Sequence, residues 1–222
     1  MAFAQVVKPS FSNKNYAIKV SVFKCGENEG KEIGTFSVGY GDVGFENNNI
    51  TNNKCIECSS LIIQLDGSSG TCNFSNFREN NQTDRNSIVF FTFGHRSLNQ
   101  TFSYCNVIGN KCGTDNHQVL FYSCYTTNVD HCIFLNNTAQ YMFGQYFEVD
   151  ILTISESYVE SNSTTGFGTV TFKNLKDTYD FNTFTDFFKG KCMIDPNLIS
   201  TNLSFSSKIS KTTTVGLFSS KK

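Results

Sequence analysis

Apolar and small polar positions recur along this chain in a fixed order. An apolar residue is followed by two variable ones, a small Asn, Ser or Cys, one variable residue, a second apolar residue, two variable ones and an Asn. Five segments carry the whole pattern: FENNNITNN from Phe45, CNFSNFREN from Cys72, FSYCNVIGN from Phe102, VDHCIFLNN from Val129 and ISESYVESN from Ile154. A sixth, YDFNTFTDF from Tyr179, keeps every position but the last, and a weaker one, IKVSVFKCG, starts at Ile18. Residue frequencies give roughly one full match by chance. The terminal Asn residues fall at 53, 80, 110, 137 and 162, at intervals of 27, 30, 27 and 25 residues. Regular recurrence on this scale marks a solenoid, in which each repeat is one coil stacked on the last.

Between these segments lie short apolar runs at residues 61–65, 88–91, 119–122, 141–143 and 170–172. Each has the length of a strand, is rich in β-branched and aromatic residues, and is bounded by Gly, Asn, Asp or Ser. Helical repeats would need longer amphipathic segments, and none occurs. The expected fold is therefore all-β, a right-handed parallel β-helix of about six coils of 25–30 residues. Residues 45–187 form the repeats, 1–44 an N-terminal cap or weak first coil, and 188–222 a C-terminal cap and tail.

Stacking turns repeat positions into columns. Phe45, Cys72, Phe102, Val129, Ile154 and Tyr179 form one interior column, and Ile50, Phe77, Val107, Phe134, Val159 and Phe184 another. Five residues separate the two, an odd offset that a straight strand would send to opposite faces. A bend must intervene, and the small column of Asn48, Ser75, Cys105, Cys132, Ser157 and Asn182 sits where it belongs. The terminal Asn column, Asn53, Asn80, Asn110, Asn137 and Asn162, suits left-handed backbone and an amide ladder from coil to coil.

Two sets of residues resemble a known family at this point. Phe77-Arg78-Glu79-Asn80 and Phe134-Leu135-Asn136-Asn137 are FxxN repeats, and Gly166-Phe167-Gly168-Thr169-Val170 is loosely similar to the GGA-plus-aliphatic element that accompanies them in polymorphic outer-membrane-protein repeats. The chain looks like trichomonad surface-type proteins with such repeats on a pectate-lyase-like β-helix. The resemblance implies a cell-surface or secreted contact protein whose partners are glycans or surface proteins of host or self. It does not imply catalysis.

Composition changes this picture little. There are 23 Phe, no Trp and only 2 Pro, as a paired-strand core requires. Net charge is −1 without long runs, so neither a nucleic-acid footprint nor a polybasic membrane patch is read. Residues 1–20 hold no uninterrupted apolar stretch of the kind a secretory leader needs, and no run is long enough for a membrane-spanning helix.

Candidate chemistry is sparse. Cys55 and Cys58 have metal or redox spacing, but a zinc site needs two further ligands, and no second CxxC or paired His is present. Cys105 and Cys132 share a column; parallel columns set their Cβ atoms side by side, so buried free thiols are expected rather than a disulfide. The three histidines are His95, His117 and His131. Gly94-His95-Arg96 lacks the clustered aspartates of a polysaccharide hydrolase; Asp84, Asp115 and Asp130 are isolated. Tyr104, His131 and Glu156 share one register position in three successive coils and would form a titratable line if that column faces outward. Seven sequons occur, at Asn49, Asn73, Asn81, Asn99, Asn136, Asn162 and Asn202, no more than Asn and Ser/Thr abundance explains. No residue is assigned a catalytic, cofactor-binding or metal-binding role. The expected function is a non-catalytic contact surface; a polysaccharide lyase or glycoside hydrolase on the same fold is the alternative, and a truncated gene product without its own role a third.

Overall fold

The computed structural model describes residues 4–7, 14–25, 34–39, 41–55, 59–65, 69–82, 86–92, 99–113 and 118–182, all within one compact unit, Met1–Thr185. Among them are strands, turns and bends but no helix, and every strand pairing is parallel. The chain is a parallel β-solenoid.

Three sheets form its long sides. Sheet A stacks seven strands, Ala4–Val7, Gly34–Gly39, Ser59–Leu65, Ile88–Thr92, Val119–Ser123, Tyr141–Gln145 and Thr164–Gly166. Sheet B stacks seven more, Lys14–Ile18, Asp42–Glu46, Ser69–Asn73, Asn99–Ser103, Thr127–Asp130, Ile151–Ser155 and Thr169–Lys173. Sheet C has six, Ser21–Phe23, Asn49–Thr51, Asn76–Arg78, Asn106–Ile108, Ile133–Leu135 and Tyr158–Val159, and a short sheet D joins Lys54–Cys55, Asn81–Gln82 and Lys111–Cys112. The six strands of sheet C begin with Ser21–Phe23 of the weak first segment and end at Tyr158–Val159, so the coil expected from Tyr179 is not among them and the coil count differs from the expectation; sheets A and B each carry one more strand.

Sheets B and C carry the two interior columns. In sheet B, Phe45, Cys72, Phe102, Val129 and Ile154 align in register; in sheet C, Ile50, Phe77, Val107, Phe134 and Val159 do. Sheet A closes the core from the third side with Phe36, Leu61, Ile88, Phe121 and Phe143. Among the described residues, eight fully buried phenylalanines meet in the middle. Phe102 alone has ring contacts to Phe77, Phe90, Phe121 and Phe134 at centroid separations of 5.0–6.5 Å. A narrow three-sided core with one interior row per coil takes a flat ring from each side, which is why the chain uses Phe so heavily.

Two expected columns are corrected at the ends. In the first coil the register is shifted by one residue: Ala17 pairs with Phe45 and Val22 with Ile50, while Ile18 and Phe23 point out. Alternating side-chain directions make such a slip exchange the two faces completely. In the last coil Phe172, not Tyr179, follows Ile154 in the column. The run at 170–172 belongs to sheet B rather than sheet A, whose strand here is Thr164–Gly166, so the rung closes after 18 residues instead of about 25. Phe184 lies outside the described residues.

The bend between sheets B and C is made by one residue per coil in left-handed conformation. Lys19, Asn47, Phe74, Tyr104, His131, Glu156 and Asn174 have φ of 47–57°, and the five from Asn47 to Glu156 directly precede small-column residues, Lys19 and Asn174 preceding Val20 and Leu175 instead. Each inward turn frees an N–H that bonds to the next coil, as Phe74 N–H does to Ser103 O at 3.1 Å and Tyr104 N–H to Asp130 O at 3.0 Å. Small-column side chains take the following N–H groups: Asn48 Oδ1 accepts from Val20 N–H, and Ser157 Oγ from Cys132 N–H.

A second left-handed position closes sheet C, at Lys24, Asn52, Glu79, Gly109 and Asn136. It precedes the terminal Asn, correcting the expectation that the terminal Asn itself adopts this backbone. A side chain there costs about 1 kcal/mol that glycine avoids. Glu79→Gly should therefore raise the melting temperature by about 2 °C after the added unfolded-state entropy is subtracted; a lower melting temperature on thermal denaturation would contradict this account of the column.

The terminal Asn residues form the expected amide ladder over four coils. Asn53 Nδ2 donates to Asn80 Oδ1 at 2.9 Å, Asn80 to Asn110 at 2.9 Å and Asn110 to Asn137 at 3.1 Å. The Oδ1 atoms of Asn80, Asn110 and Asn137 also take the main-chain N–H of the ladder Asn in the preceding coil, Asn53 Oδ1 takes that of Cys25, and each Nδ2 donates to the carbonyl of the interior residue in the preceding coil. Asn162 does not join: it is exposed, because the shortened last rung has no sheet D corner to hold it. Where the ladder stops, Glu160 takes over one acceptor role through its carboxylate, which receives the Asn136 N–H, and a cleft of about 360 Å³ opens between Asn137, Met142 and Glu160.

Candidate contact face

The left-handed column faces outward. Nothing but backbone geometry is asked of its residues, yet three successive coils place aromatic rings there. Phe74 and Tyr104 stack with centroids 5.2 Å apart and 14° between planes, and Tyr104 and His131 stack at 4.9 Å and 22°. The coil rise of about 4.8 Å sets this spacing. Phe74 and Tyr104 are 41% and 39% exposed. Their faces turn toward one another along the axis, so the ladder presents ring edges to solvent. Glu156 continues the column and accepts from Asn174 Nδ2 at 2.8 Å. The line of Tyr104, His131 and Glu156 read from the register is thus present, and it extends upstream to Phe74.

A polar column runs beside it in sheet B: Asn73, Ser103, Asp130 and Ser155. Ser103 Oγ donates to Asn73 Oδ1 at 2.6 Å and Ser155 Oγ to Asp130 Oδ1 at 2.9 Å. The other oxygen of Asp130 lies 2.6 Å from His131 Nδ1. A carboxylate beside Nδ1 fixes the orientation of the ring, with Nε2 on its far side. Asp130, isolated from other acids in the sequence, is thus paired with its neighbour His131.

On the other flank lies the outer face of sheet C. Its two outward rows change character along the axis. One reads Asn49, Asn76, Asn106, Ile133 and Tyr158, the other Thr51, Arg78, Ile108 and Leu135. Asn106 Nδ2 donates to Asn76 Oδ1 at 2.8 Å, a second run of stacked Asn that the repeat pattern did not single out. Ile108, Ile133 and Leu135 form a small apolar cluster of their own, packed by Tyr158.

What covers that cluster is the chain itself. After its last strand it turns at Asn174 and runs back over sheet C. Tyr179 meets Tyr158 at 4.8 Å and Phe181 meets Tyr179 at 5.2 Å. Asn106 brackets the main chain of Asn182: its Nδ2 donates to Asn182 O at 2.9 Å and its Oδ1 accepts from Asn182 N–H at 3.2 Å. Asn182 Nδ2 reaches His131 O at 3.0 Å. Asn182, expected in the small column, is here instead. A further exposed aromatic group, Tyr146, Phe147 and Phe167, sits around the ends of sheet A strands, with centroids 4.8 and 6.2 Å from Tyr146.

Compared with known proteins, the chain matches no family model, no curated protein and no solved structure.

Among the described residues, no three His, Cys, Asp or Glu side chains gather as metal ligands. Cys105 and Cys132 are free thiols, as expected, with Cys105 N–H pointing at Cys132 Sγ over 3.4 Å. Burial pushes both thiols well above their usual range. Cys58, Cys192, His95, His117, Arg96, Asp84 and Asp115 lie outside the described residues.

Proposed function

We propose that this chain is a non-catalytic contact protein that binds protein partners along the face made by the left-handed column and sheet C. The observation that carries this reading is the exposed aromatic ladder, Phe74, Tyr104 and His131. Aromatic side chains are over-represented at interfaces, where a large rigid surface is buried at low entropic cost. The stacked geometry supports protein over glycan: sugar rings pack on open aromatic faces, and here the faces are turned to one another. The FxxN repeats support a finer placement beside the polymorphic outer-membrane-protein-type and pectate-lyase-like β-helix proteins, at a cell surface or secreted.

Labelled protein should bind immobilised cell-surface proteins, and Phe74→Ser with Tyr104→Ser should weaken that binding about tenfold, with melting within a few degrees of the parent. Equal binding by parent and variant, or binding to a glycan array alone, rejects the reading. The Asp130–His131 pair favours a second one, acid–base chemistry on a polysaccharide with Nε2 as the base. Incubation with polyuronides would then yield ultraviolet-absorbing unsaturated products that His131→Ala abolishes.

A further inference from the structure

The segment that closes back over sheet C is held in an unusual way. It belongs to no sheet, and among the described residues it makes no strand. Its principal anchor is the carboxamide of Asn106, which is buried and bonds both the N–H and the C=O of Asn182. Those are main-chain groups, which any residue in an extended segment would offer in the same place. Side-chain selection comes from the apolar patch of Ile108, Ile133 and Leu135, whose packing partner Tyr158 meets Tyr179 at 4.8 Å with the rings tilted by 55°. Tyr179 and Phe181 are two residues apart, the spacing that puts both on one side of an extended chain, and they remain 38% and 49% exposed. This is a main-chain clamp beside a shallow apolar shelf, a combination that recognises an extended peptide.

We propose that the outer face of sheet C is a docking groove for an extended peptide segment of a partner protein, and that residues 179–182 are its internal occupant. The partner segment carries aromatic residues two positions apart and an acidic residue. The aromatic pair follows from the shelf, and the acidic residue from Arg78, which is exposed on the same outward row as Ile108 and Leu135; the internal occupant, Tyr179-Asp180-Phe181-Asn182, has the same make-up. The outward Asn run continues through Asn76 to Asn49 beyond the point where Asn182 is gripped. Tethering gives the internal segment an effective concentration in the millimolar range, so a partner competes best when that segment is weakened or when it has a second contact. The inference rests on reading the chain as a contact protein, and the ladder beside the groove would be such a second contact.

The test uses a fluorescein-labelled peptide of residues 178–182, TYDFN, and the full chain. Anisotropy should report saturable binding to the chain carrying Tyr179→Ser and Phe181→Ser, and at least tenfold weaker binding to the parent. Adding Asn106→Ala to the first variant should weaken binding about tenfold, and a peptide with both aromatics replaced by Ser should not bind. On the parent chain, millimolar unlabelled peptide should raise hydrogen exchange at the Asn182 amide severalfold, an arm that needs no substitution. Absence of saturable binding to the weakened chain, affinity indifferent to Asn106→Ala, or unchanged exchange at Asn182 overturns the groove. None of these outcomes bears on the Phe74 and Tyr104 test, so the two readings fail separately.

Discussion

Raising the pH from 8 to about 10.5 should unfold this solenoid, through its thiols. Cys105, Cys112, Cys124 and Cys132 are all buried. Burial is the first cause in each case: it pushes Cys112 and Cys124 up to about 12, the latter helped by Asp150, and Cys105 and Cys132 well above the usual range. In the unfolded chain the same thiols ionise near 8.5 to 9. Their folded values are raised, so the contribution to stability is complete below that range and is lost as the pH climbs toward 12. Each pH unit in this window costs about 1.4 kcal/mol per thiol. At pH 10.5 Cys112 and Cys124 alone cost on the order of 4 kcal/mol, and Cys105 and Cys132 add to it in the same direction, a large share of what many whole domains possess. Thermal melts by circular dichroism at pH 8, 9, 10 and 10.5 should fall ever more steeply. Cys124→Ala should start from a lower melting temperature but lose it with a shallower slope. A parent melting temperature that is flat to pH 10.5, or reaction of these four thiols with a disulfide reagent at pH 8 before the fold is lost, would rule this out.

The second large effect is expected in the amide ladder. Asn80 sits in its middle, fully buried, and its carboxamide makes four bonds: Nδ2 to Ile50 O and Asn110 Oδ1, and Oδ1 from the N–H and Nδ2 of Asn53. Asn80→Leu keeps the volume close and removes all four. The partners stay buried, and a buried polar group without a partner costs about 1–3 kcal/mol. A loss of about 4–6 kcal/mol follows, with expression of folded protein reduced. Asn162→Leu makes the same chemical change at the corresponding repeat position but on an exposed residue outside the ladder, and should cost less than about 0.5 kcal/mol. Urea denaturation of both variants decides the matter. If the two substitutions cost the same, the bonds at Asn80 carry no net stability.

The contrast between Asn80 and Asn162 also shows what could be read from sequence. Interior columns such as Phe45, Cys72 and Phe102, and the amide ladder itself, were legible because stacking demands one residue type at one position in coil after coil. Legibility ended where that demand relaxed. In the first coil Val22 and Phe23 are both apolar, so composition could not choose between two registers one residue apart. In the last coil a shortened rung moved Phe172 into the place that regular spacing had given to Tyr179. The contact face was legible only in its line Tyr104, His131 and Glu156, and its extension to Phe74 was not, for a different reason. The left-handed position is imposed by the backbone, and its occupants Asn47, Phe74, Tyr104, His131 and Glu156 share no chemistry, so the pattern treated them as variable. One signal was available on sheet C: Ile133-Phe134-Leu135 is apolar at three consecutive residues, which a strand with a solvated outer face would not be.

The return of the chain across sheet C also decides how a pulling force would act on the molecule. In a stacked solenoid the last rung is the easiest to peel, because its bonds break one at a time, and here that rung lies beyond the end of the amide ladder. Tension applied past Asn182 does not reach it first. It arrives at His131 and Asn106, two and three rungs further in, and runs along the face of sheet C so that the bonds holding the segment are strained together. The weakest rung is thereby shielded behind a stronger anchor.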